Sequence, residues 1–406
     1  MTLRVLVIDE DLPLPANSGK KIRTWALVRR LASRHQITFL SYGSDEATIR
    51  TMQSENVDVQ TVPPPNISGG VALYLSLFQN LFSRFPYSVT KHYSEAFQRR
   101  VRQVLAAGAY DIVQCEWTPY ANFLRTGIRQ PVILSTHNIE AKIWERRAAN
   151  SSSPLAKVFF GIQHRKMESF ERWAFPRFGN VAAVSETDAG VARQWGARNL
   201  WVVNNGVDLN YFAPGSYGSE VAGSALFVGS LDWFPNQDGL NWFVKQVLPI
   251  IRRLDSGASV RVVGRNASPQ FRRLLQDTPG VNFVGGVDDV RDELRRASIV
   301  VVPLRIGGGT RIKILEAMAS GRAVISTSIG AEGLNVQNGV HLRTADEPAR
   351  FAETAVALLH SPEDRRHLAA AGRKLVENEY SWDRSAQVLE SAWLEIAQAA
   401  RRETQS

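Results

Sequence analysis

Residues 299–321 read Ile299-Val300-Val301-Val302-Pro303-Leu304-Arg305-Ile306-Gly307-Gly308-Gly309-Thr310-Arg311-Ile312-Lys313-Ile314-Leu315-Glu316-Ala317-Met318-Ala319-Ser320-Gly321. An uninterrupted apolar run leads into a bend of three successive glycines, then a helical stretch that Gly321 stops. Four β-branched residues without polar alternation predict a parallel strand covered by helices on both faces. The rhythm extends in both directions. Strands are predicted at 3–8, 37–41, 57–62, 111–115, 132–136 and 181–185 in the first half. Those of the second half are 225–229, 260–263, 281–284, 299–303 and 323–327. Apolar strands alternating with helical stretches predict the α/β class, with doubly wound parallel sheets.

The alternation restarts after residues 204–224, where Asn204-Asn205-Gly206-Val207-Asp208, Pro214-Gly215 and Gly223-Ser224 concentrate turn formers. Two Rossmann-like domains are expected, at 1–205 and 225–380, joined by a linker over 206–224. The C-terminus predicts helices at 348–360, 362–379 and 382–401. In the last, Trp382, Ala386, Leu389, Trp393 and Ile396 form one apolar stripe at three- and four-residue spacing. That stripe needs a surface, so 381–406 is expected to pack back on the first domain, with the tail from 401 frayed.

The chain has 406 residues, 44% hydrophobic and 21% charged, which excludes disordered, collagen-like and coiled-coil classes. A single Cys excludes a disulfide framework, a Cys-rich zinc module and an iron–sulfur cluster, and suits a reducing cytoplasm. The seven His show no paired ligand spacing, so no metal or other cofactor is expected. Of the 48 basic residues, 39 are Arg, and the net charge is +9. Genome base composition alone produces such a bias; attraction to phosphate, on a nucleotide, a nucleic acid or an anionic membrane, is the functional counterpart. Met1-Thr2-Leu3-Arg4 runs directly into a strand and then Asp9-Glu10-Asp11, which is not a signal peptide. Residues 70–82 are too short and polar for a span of about 20 apolar residues. A cytoplasmic protein is expected.

In open α/β sheets ligands bind beyond the carboxyl ends of the strands. The bend at Gly307, Gly308 and Gly309 lets backbone approach an anion, and the helix start behind it offers N–H groups and partial positive charge. Arg311 and Lys313 add cations, the first able to bind phosphate bidentately and the second a point charge. Glu316 could accept hydroxyl protons from a ribose diol. The alternative is a solvated helical ion-pair face. The pattern is neither a Walker A loop nor a strict G-x-G-x-x-G, which lowers ATPase and dinucleotide readings.

Taken in order along the chain, several stretches resemble the group 1 (family-4-like) glycosyltransferases of GT-B architecture. They are Asn17-Ser18-Gly19, Ser135-Thr136-His137-Asn138, Val203-Asn204-Asn205-Gly206-Val207-Asp208 with Phe212, Phe227-Val228-Gly229-Ser230-Leu231, Val262-Val263-Gly264, Leu315–Gly321 and Tyr380-Ser381-Trp382. Two departures stand out. The family's first donor-loop Glu is replaced by Gly308, as in a Gly-Gly-Thr-Arg subset resembling exopolysaccharide-associated transferases. The loop Gly229-Ser230-Leu231-Asp232-Trp233-Phe234-Pro235-Asn236 lacks the Arg and Lys many relatives carry, a role that charge bookkeeping gives to Arg311 and Lys313.

The resemblance implies two domains facing a central cleft, acceptor on the first and donor on the second. It implies retaining, metal-independent transfer from a nucleotide-diphosphate sugar to a sugar or polyprenyl-linked acceptor. His137, Arg311 and Lys313 would be catalytic. Gly19, Gly229, Ser230, Gly264, Arg265, Gly285, Val287, the Gly307–Gly309 amides, Thr310 and Glu316 would bind the donor. Position alone leaves His137 equally a structural loop histidine, and Gly19 a mere turn former. Glu186 and Asp188 suit a helix start better than catalysis.

Residues 73–82 with Arg84, Phe85, Tyr87, Lys91, His92 and Tyr93 read either as a patch touching an anionic membrane at its inner face or, slightly favoured, as a core helix. Two competing functions remain at this level: a nucleotide-sugar 2-epimerase of the same architecture, and a non-catalytic basic binding protein. Nucleic acid is not expected, since only the charge suggests it.

Overall fold

The computed structural model describes residues 1–65, 70–151, 153–215, 220–306 and 311–405. The chain divides into two compact units, Met1–Asn204 with Asp383–Ser406, and Asn205–Trp382.

The first unit holds seven parallel strands: β1 (Arg4–Asp11), β2 (Gln36–Tyr42), β3 (Val57–Val62), β4 (Ile112–Cys115), β5 (Val132–Ser135), β6 (Asn180–Ala183) and β7 (Asn199–Val202), ordered 3-2-1-4-5-6-7. The second holds β8 (Ser224–Val228), β9 (Ser259–Val263), β10 (Val281–Gly285), β11 (Ile299–Val302), β12 (Ala323–Ser326) and β13 (Arg343–Thr344), ordered 10-9-8-11-12-13. Each sheet repeats the doubly wound order in which the chain leaves the first strand toward one edge and returns beside it toward the other. The switch points lie between β1 and β4, and between β8 and β11, where ligands of such sheets gather. Helices cover both faces of each sheet, so Val5–Ile8 and Ile299–Val302 are buried throughout, as their unbroken apolarity requires. Two strands escaped the sequence reading. β7 is an edge strand with no fully buried residue, and β13 has two residues, so neither needs a long apolar run.

Part of the stretch read as a linker packs with the second unit. Val207 and Phe212 lie in its core, and Arg373 Nη1 donates to the Phe212 carbonyl at 3.2 Å.

The final helix, Trp382–Gln405, joins the first unit from Asp383 onward. Ala386, Leu389, Trp393 and Ile396 are all buried there. Trp393 meets His35 edge-to-face at 5.7 Å. The tail does not fray at 401: helix continues to Gln405, and Arg401 pairs with Asp111 at 2.6 Å. The preference for a core helix at 73–82 is also corrected. Helix Val71–Leu81 keeps Tyr74, Leu75 and Phe78 exposed, with Phe82 exposed just beyond it.

Candidate functional site

In the second unit, the loops after β8, β9 and β10 are tied into one layer. The N–H of Gly229 donates to Val263 O at 3.0 Å, that of Gly264 to Gly285 O at 2.8 Å, and that of Leu231 to Arg265 O at 2.9 Å. Glycine is required at two of these places by space. A Cβ on Gly264 would stand 2.3 Å from the Gly229 carbonyl oxygen, and one on Gly229 would stand 2.8 Å from Lys313 Nζ. Gly285 turns with φ +86°, where a side chain is strained.

Lys313 therefore reaches the end of β8 from the helix Ile312–Ala319, and is half-buried there with Glu316. Its Nζ donates to Asn236 Oδ1 at 2.8 Å and lies 4.9 Å from the centre of the Phe227 ring. Its hydrogen-bond partner is a neutral amide, whereas nearby Arg305 is neutralised by a bidentate pair with Asp238. Burial pushes the Lys313 ammonium down to about 7, with the Arg311 charge adding and Glu316 opposing. Burial pushes the Glu316 carboxyl up to about 7 against the pull of Lys313. Arg311, at the helix N-cap, is only 5% exposed. Two cations, a carboxyl and a glycine-lined strand end thus share one helix start, which can hold an anionic group.

The other donor-site candidates behave differently. Ser230 Oγ donates to Asp232 Oδ1 at 2.6 Å, and Asn266 Nδ2 to the other oxygen at 2.9 Å, which shapes the loop. The Arg265 backbone completes the same layer, and the Val287 side chain packs against the core. Gly307, Gly308, Gly309 and Thr310 lie outside the described residues.

Gly19 belongs to the first unit, opening the helix Gly19–Ala32 behind the N-cap Ser18. That unit carries a buried polar cluster at its own switch point, of which the sequence reading found only His137. Glu116 directly follows β4, and His137 follows β5. His137 Nε2 donates to the Glu116 carbonyl at 2.8 Å and lies 3.0 Å from its carboxylate. Gln114, Thr24 and Ser135 also donate to that carboxylate. Burial alone would raise the Glu116 carboxyl; His137, Arg23 and Gln114 together hold it below its usual value. Burial lowers the His137 imidazole despite Glu116. With Nε2–H donating, the neutral ring keeps Nδ1 as an acceptor.

Beside them Lys20 bridges Asp9 at 2.5 Å and Glu10 at 2.9 Å. Burial pushes the Asp9 carboxyl up to about 7; Lys20 opposes this, and Glu116 and Glu10 add to it. Glu171, from the helix Pro154–Phe178, accepts the N–H groups of Glu140 and Ala141 at 3.0 Å each. It supplies the acceptor that Ile139 cannot offer as N-cap of the helix Glu140–Asn150, which fixes the chain just after His137. Glu186 and Asp188 do open a helix, where Ser185 and Asp188 bond reciprocally. A strand-end carboxylate beside a switch point was the available signal for Glu116. Among the described residues no three His, Cys, Asp or Glu side chains are grouped to hold a metal ion.

Two doubly wound parallel-sheet units in one chain, each with its polar residues at the switch point, define a protein of GT-B architecture. Two family models follow one another along it: Glycosyltransferase Family 4 over residues 18–211 and Glycosyl transferases group 1 over residues 222–361. The chain belongs to the group 1 glycosyltransferases. A Klebsiella pneumoniae relative, an uncharacterised 44.6 kDa protein in cps region, is 20% identical over 93% of this chain and 96% of its own. A phosphatidyl-myo-inositol mannosyltransferase of Mycobacterium tuberculosis is 24% identical over 79% of this chain and 81% of its own. Among solved structures, sucrose-phosphate synthase from Thermosynechococcus elongatus shares the fold with a TM-score of 0.73 at 16% identity, covering 98% of this chain and all of that one. Anabaena HepE, in complex with UDP and glucose, matches with a TM-score of 0.66 at 13% identity over 96% of this chain and 98% of that one.

Proposed function

We propose that this glycosyltransferase moves a sugar from a nucleoside-diphosphate donor, held by the second unit, to a sugar or carrier-lipid-linked acceptor held by the first. One observation carries the reading: Lys313, a cation with an amide partner, stands at the end of β8 beside a glycine that leaves it room. As the glycosidic bond to the donor breaks, negative charge gathers on the departing diphosphate. Lys313 and Arg311 meet it from fixed positions, so neither has to reorganise. Glu316 accepts the ribose hydroxyls, and the turns at Gly264, Arg265, Gly285 and Val287 flank the base. His137 offers Nδ1 to a sugar hydroxyl.

The cations come from the chain itself, so the reaction runs without a divalent ion. It retains the anomeric configuration, for which no protein nucleophile is required. The UDP and glucose bound to Anabaena HepE support a donor of this chemistry. The mannosyltransferase relative and the relative in cps region support a carrier-linked acceptor and a place in polysaccharide assembly. A carrier lipid keeps its sugar at a bilayer face, so the enzyme works there, on the cytoplasmic side.

A thermal-shift screen against nucleoside diphosphates and their sugars tests the donor site. The expected result is stabilisation by one nucleoside diphosphate that Lys313→Ala removes. A wild-type chain that no nucleoside diphosphate or nucleotide sugar stabilises overturns the reading.

A further inference from the structure

The helix Val71–Leu81 is apolar on both sides: Leu73, Leu77 and Leu81 are half-buried, and a second apolar set is left exposed. Among its described side chains the most deeply buried is polar: Asn80 Nδ2 donates to the Phe85 carbonyl at 3.1 Å and to Thr90 Oγ1 at 2.9 Å, while Oδ1 accepts from Gln163 Nε2 at 2.8 Å. Lys166 Nζ holds the same helix end through the Asn80 and Leu81 carbonyls, at 2.6 and 3.1 Å. The largest of its apolar side chains face outward. Tyr74, Phe78 and Phe82, four residues apart and so on one face, are 74%, 58% and 80% exposed, and Leu75 is exposed beside them. Phe78 and Phe82 pack edge-to-face at 5.4 Å, which makes the aromatics one patch. Gln163 and Lys166 belong to the helix Pro154–Phe178, whose first turns also expose apolar residues, Leu155 at 84% and Val158 at 63%. Exposed aromatic and aliphatic groups gathered in this way mark an interaction surface, unlike apolar residues scattered singly.

Charge selects the occupant. Residues 59–94 contain no Asp or Glu, and neither do residues 146–167, although the chain has 39 acidic residues. Cations do occur in these segments, with Arg84, Lys157 and Arg165 exposed. A second copy of the same face would bring like charges together. An anionic lipid surface offers phosphate to the cations and a headgroup boundary to the aromatic rings. No helix among the described residues is long and apolar enough to cross a membrane, so the segment would lie on the surface.

We propose that the outer face of Val71–Leu81, with Phe82 and the first turns of Pro154–Phe178, docks the enzyme on an anionic lipid bilayer. Tyr74, Leu75, Phe78 and Phe82 enter the headgroup boundary, while Arg84 and Lys157 bind lipid phosphate. This deepens the reading of a carrier-linked acceptor, from which it takes its purpose but not its chemistry.

Co-sedimentation of the full chain with phosphatidylglycerol–phosphatidylcholine vesicles, against phosphatidylcholine alone, tests the surface. The chain should pellet with the anionic vesicles and weaken as salt rises. Phe78→Ser with Phe82→Ser should lower vesicle affinity by about tenfold or more, since each removes an apolar group that the bilayer buries on docking. Arg84→Glu with Lys157→Glu should lower it on anionic vesicles only. All variants should keep the wild-type melting temperature and nucleoside-diphosphate binding, because none of these residues enters a core or the donor site. Wild-type chain left in the supernatant, or an aromatic variant that pellets like wild type, overturns docking. So does sedimentation velocity showing that the patch instead joins two copies. If docking fails while nucleoside diphosphates still bind, the proposed transferase stands; if docking holds and none binds, that reading falls alone.

Discussion

The indole N–H of Trp393 donates to Gln114 Oε1 at 2.7 Å, and so links the last helix of the chain to a residue near the end of β4. Gln114 passes the contact on through its amide N–H to Glu116, which holds His137. A residue almost 280 positions downstream thereby fixes the orientation of an amide that in turn orients the proposed sugar-binding histidine. Buried polar chains of this kind hold a unique geometry only when every member is satisfied.

Trp393→Phe should show the polar part of that link by itself. Phenylalanine keeps most of the volume but leaves the Gln114 oxygen without its donor, at a cost of ~1–3 kcal/mol. Trp393→Ala adds a cavity and should cost ~3–5 kcal/mol. Urea unfolding of both variants measures the difference. Equal losses would mean that packing alone matters there.

Glu116→Ala should be among the most damaging single changes in the first unit. It removes the charge opposite buried Arg23 and the carboxylate 3.0 Å from His137 Nε2, though the backbone carbonyl that accepts from the ring stays, and breaking one side of a buried charge cluster costs ~3–5 kcal/mol. Glu116→Gln keeps the shape and loses the charge, so His137 should titrate still lower than in wild type. The imidazole is already below its ordinary 6.5 in the fold, so protonation favours the unfolded chain. Stability that depends on neutral His137 is complete above pH 6.5 and is lost as pH falls through the lower folded value. Histidine titration by NMR, with melting followed from pH 5 to 8, checks both statements.

Gly229→Ala and Gly264→Ala should separate binding from folding. The Gly264 Cβ would collide with a backbone oxygen, which cannot move aside, so that variant should lose ~1–3 kcal/mol of stability. The Gly229 Cβ meets the ends of two side chains, Asn236 and Lys313, which can move. Its stability loss should be smaller and its nucleoside-diphosphate affinity should fall more. The reverse ranking in paired unfolding and calorimetry would displace Gly229 from the site.

The fold was legible because parallel strands buried on both faces have no choice but to be apolar, as Ile299-Val300-Val301-Val302 shows. Edge strands such as Asn199–Val202 escape that requirement and escaped notice. Lys313 and Glu316 were legible because one helix start carries both. Glu116 was not, since its partners come from positions 23, 24, 114, 135 and 137, a neighbourhood made by sheet order. The helix Val71–Leu81 misled for a physical reason: its apolar periodicity is the same whether the outer face meets a core or none.

Activity should persist in excess chelator. Arg311 and Lys313 are attached to the chain, so removing divalent ions takes away no charge from the proposed diphosphate site. A transfer assay after exhaustive chelation, with and without added magnesium or manganese, decides this. Activity lost and then restored by either ion would replace the lysine-centred mechanism with a metal-centred one.

Lys313 should show opposite effects on stability and on binding. Its ammonium is pushed down to about 7 from 10.5, so between those values the unfolded chain holds a proton that the folded chain lacks. Stability contributed at this site therefore rises with pH across that window. Lys313→Met removes the penalty and should raise the melting temperature at pH 7, by at least ~2 °C, with the gain shrinking toward pH 10. Binding runs the other way. A diphosphate favours the charged lysine, so above pH 7 binding must take up a proton, and affinity should fall by up to about tenfold per pH unit. From pH 8 to 9 Glu316, at about 7, is already ionised, which leaves Lys313 as the group that responds. Calorimetry in two buffers of different ionisation heat counts the proton directly. Wild-type affinity that stays flat from pH 8 to 9, matching Lys313→Met, would place the diphosphate away from this side chain.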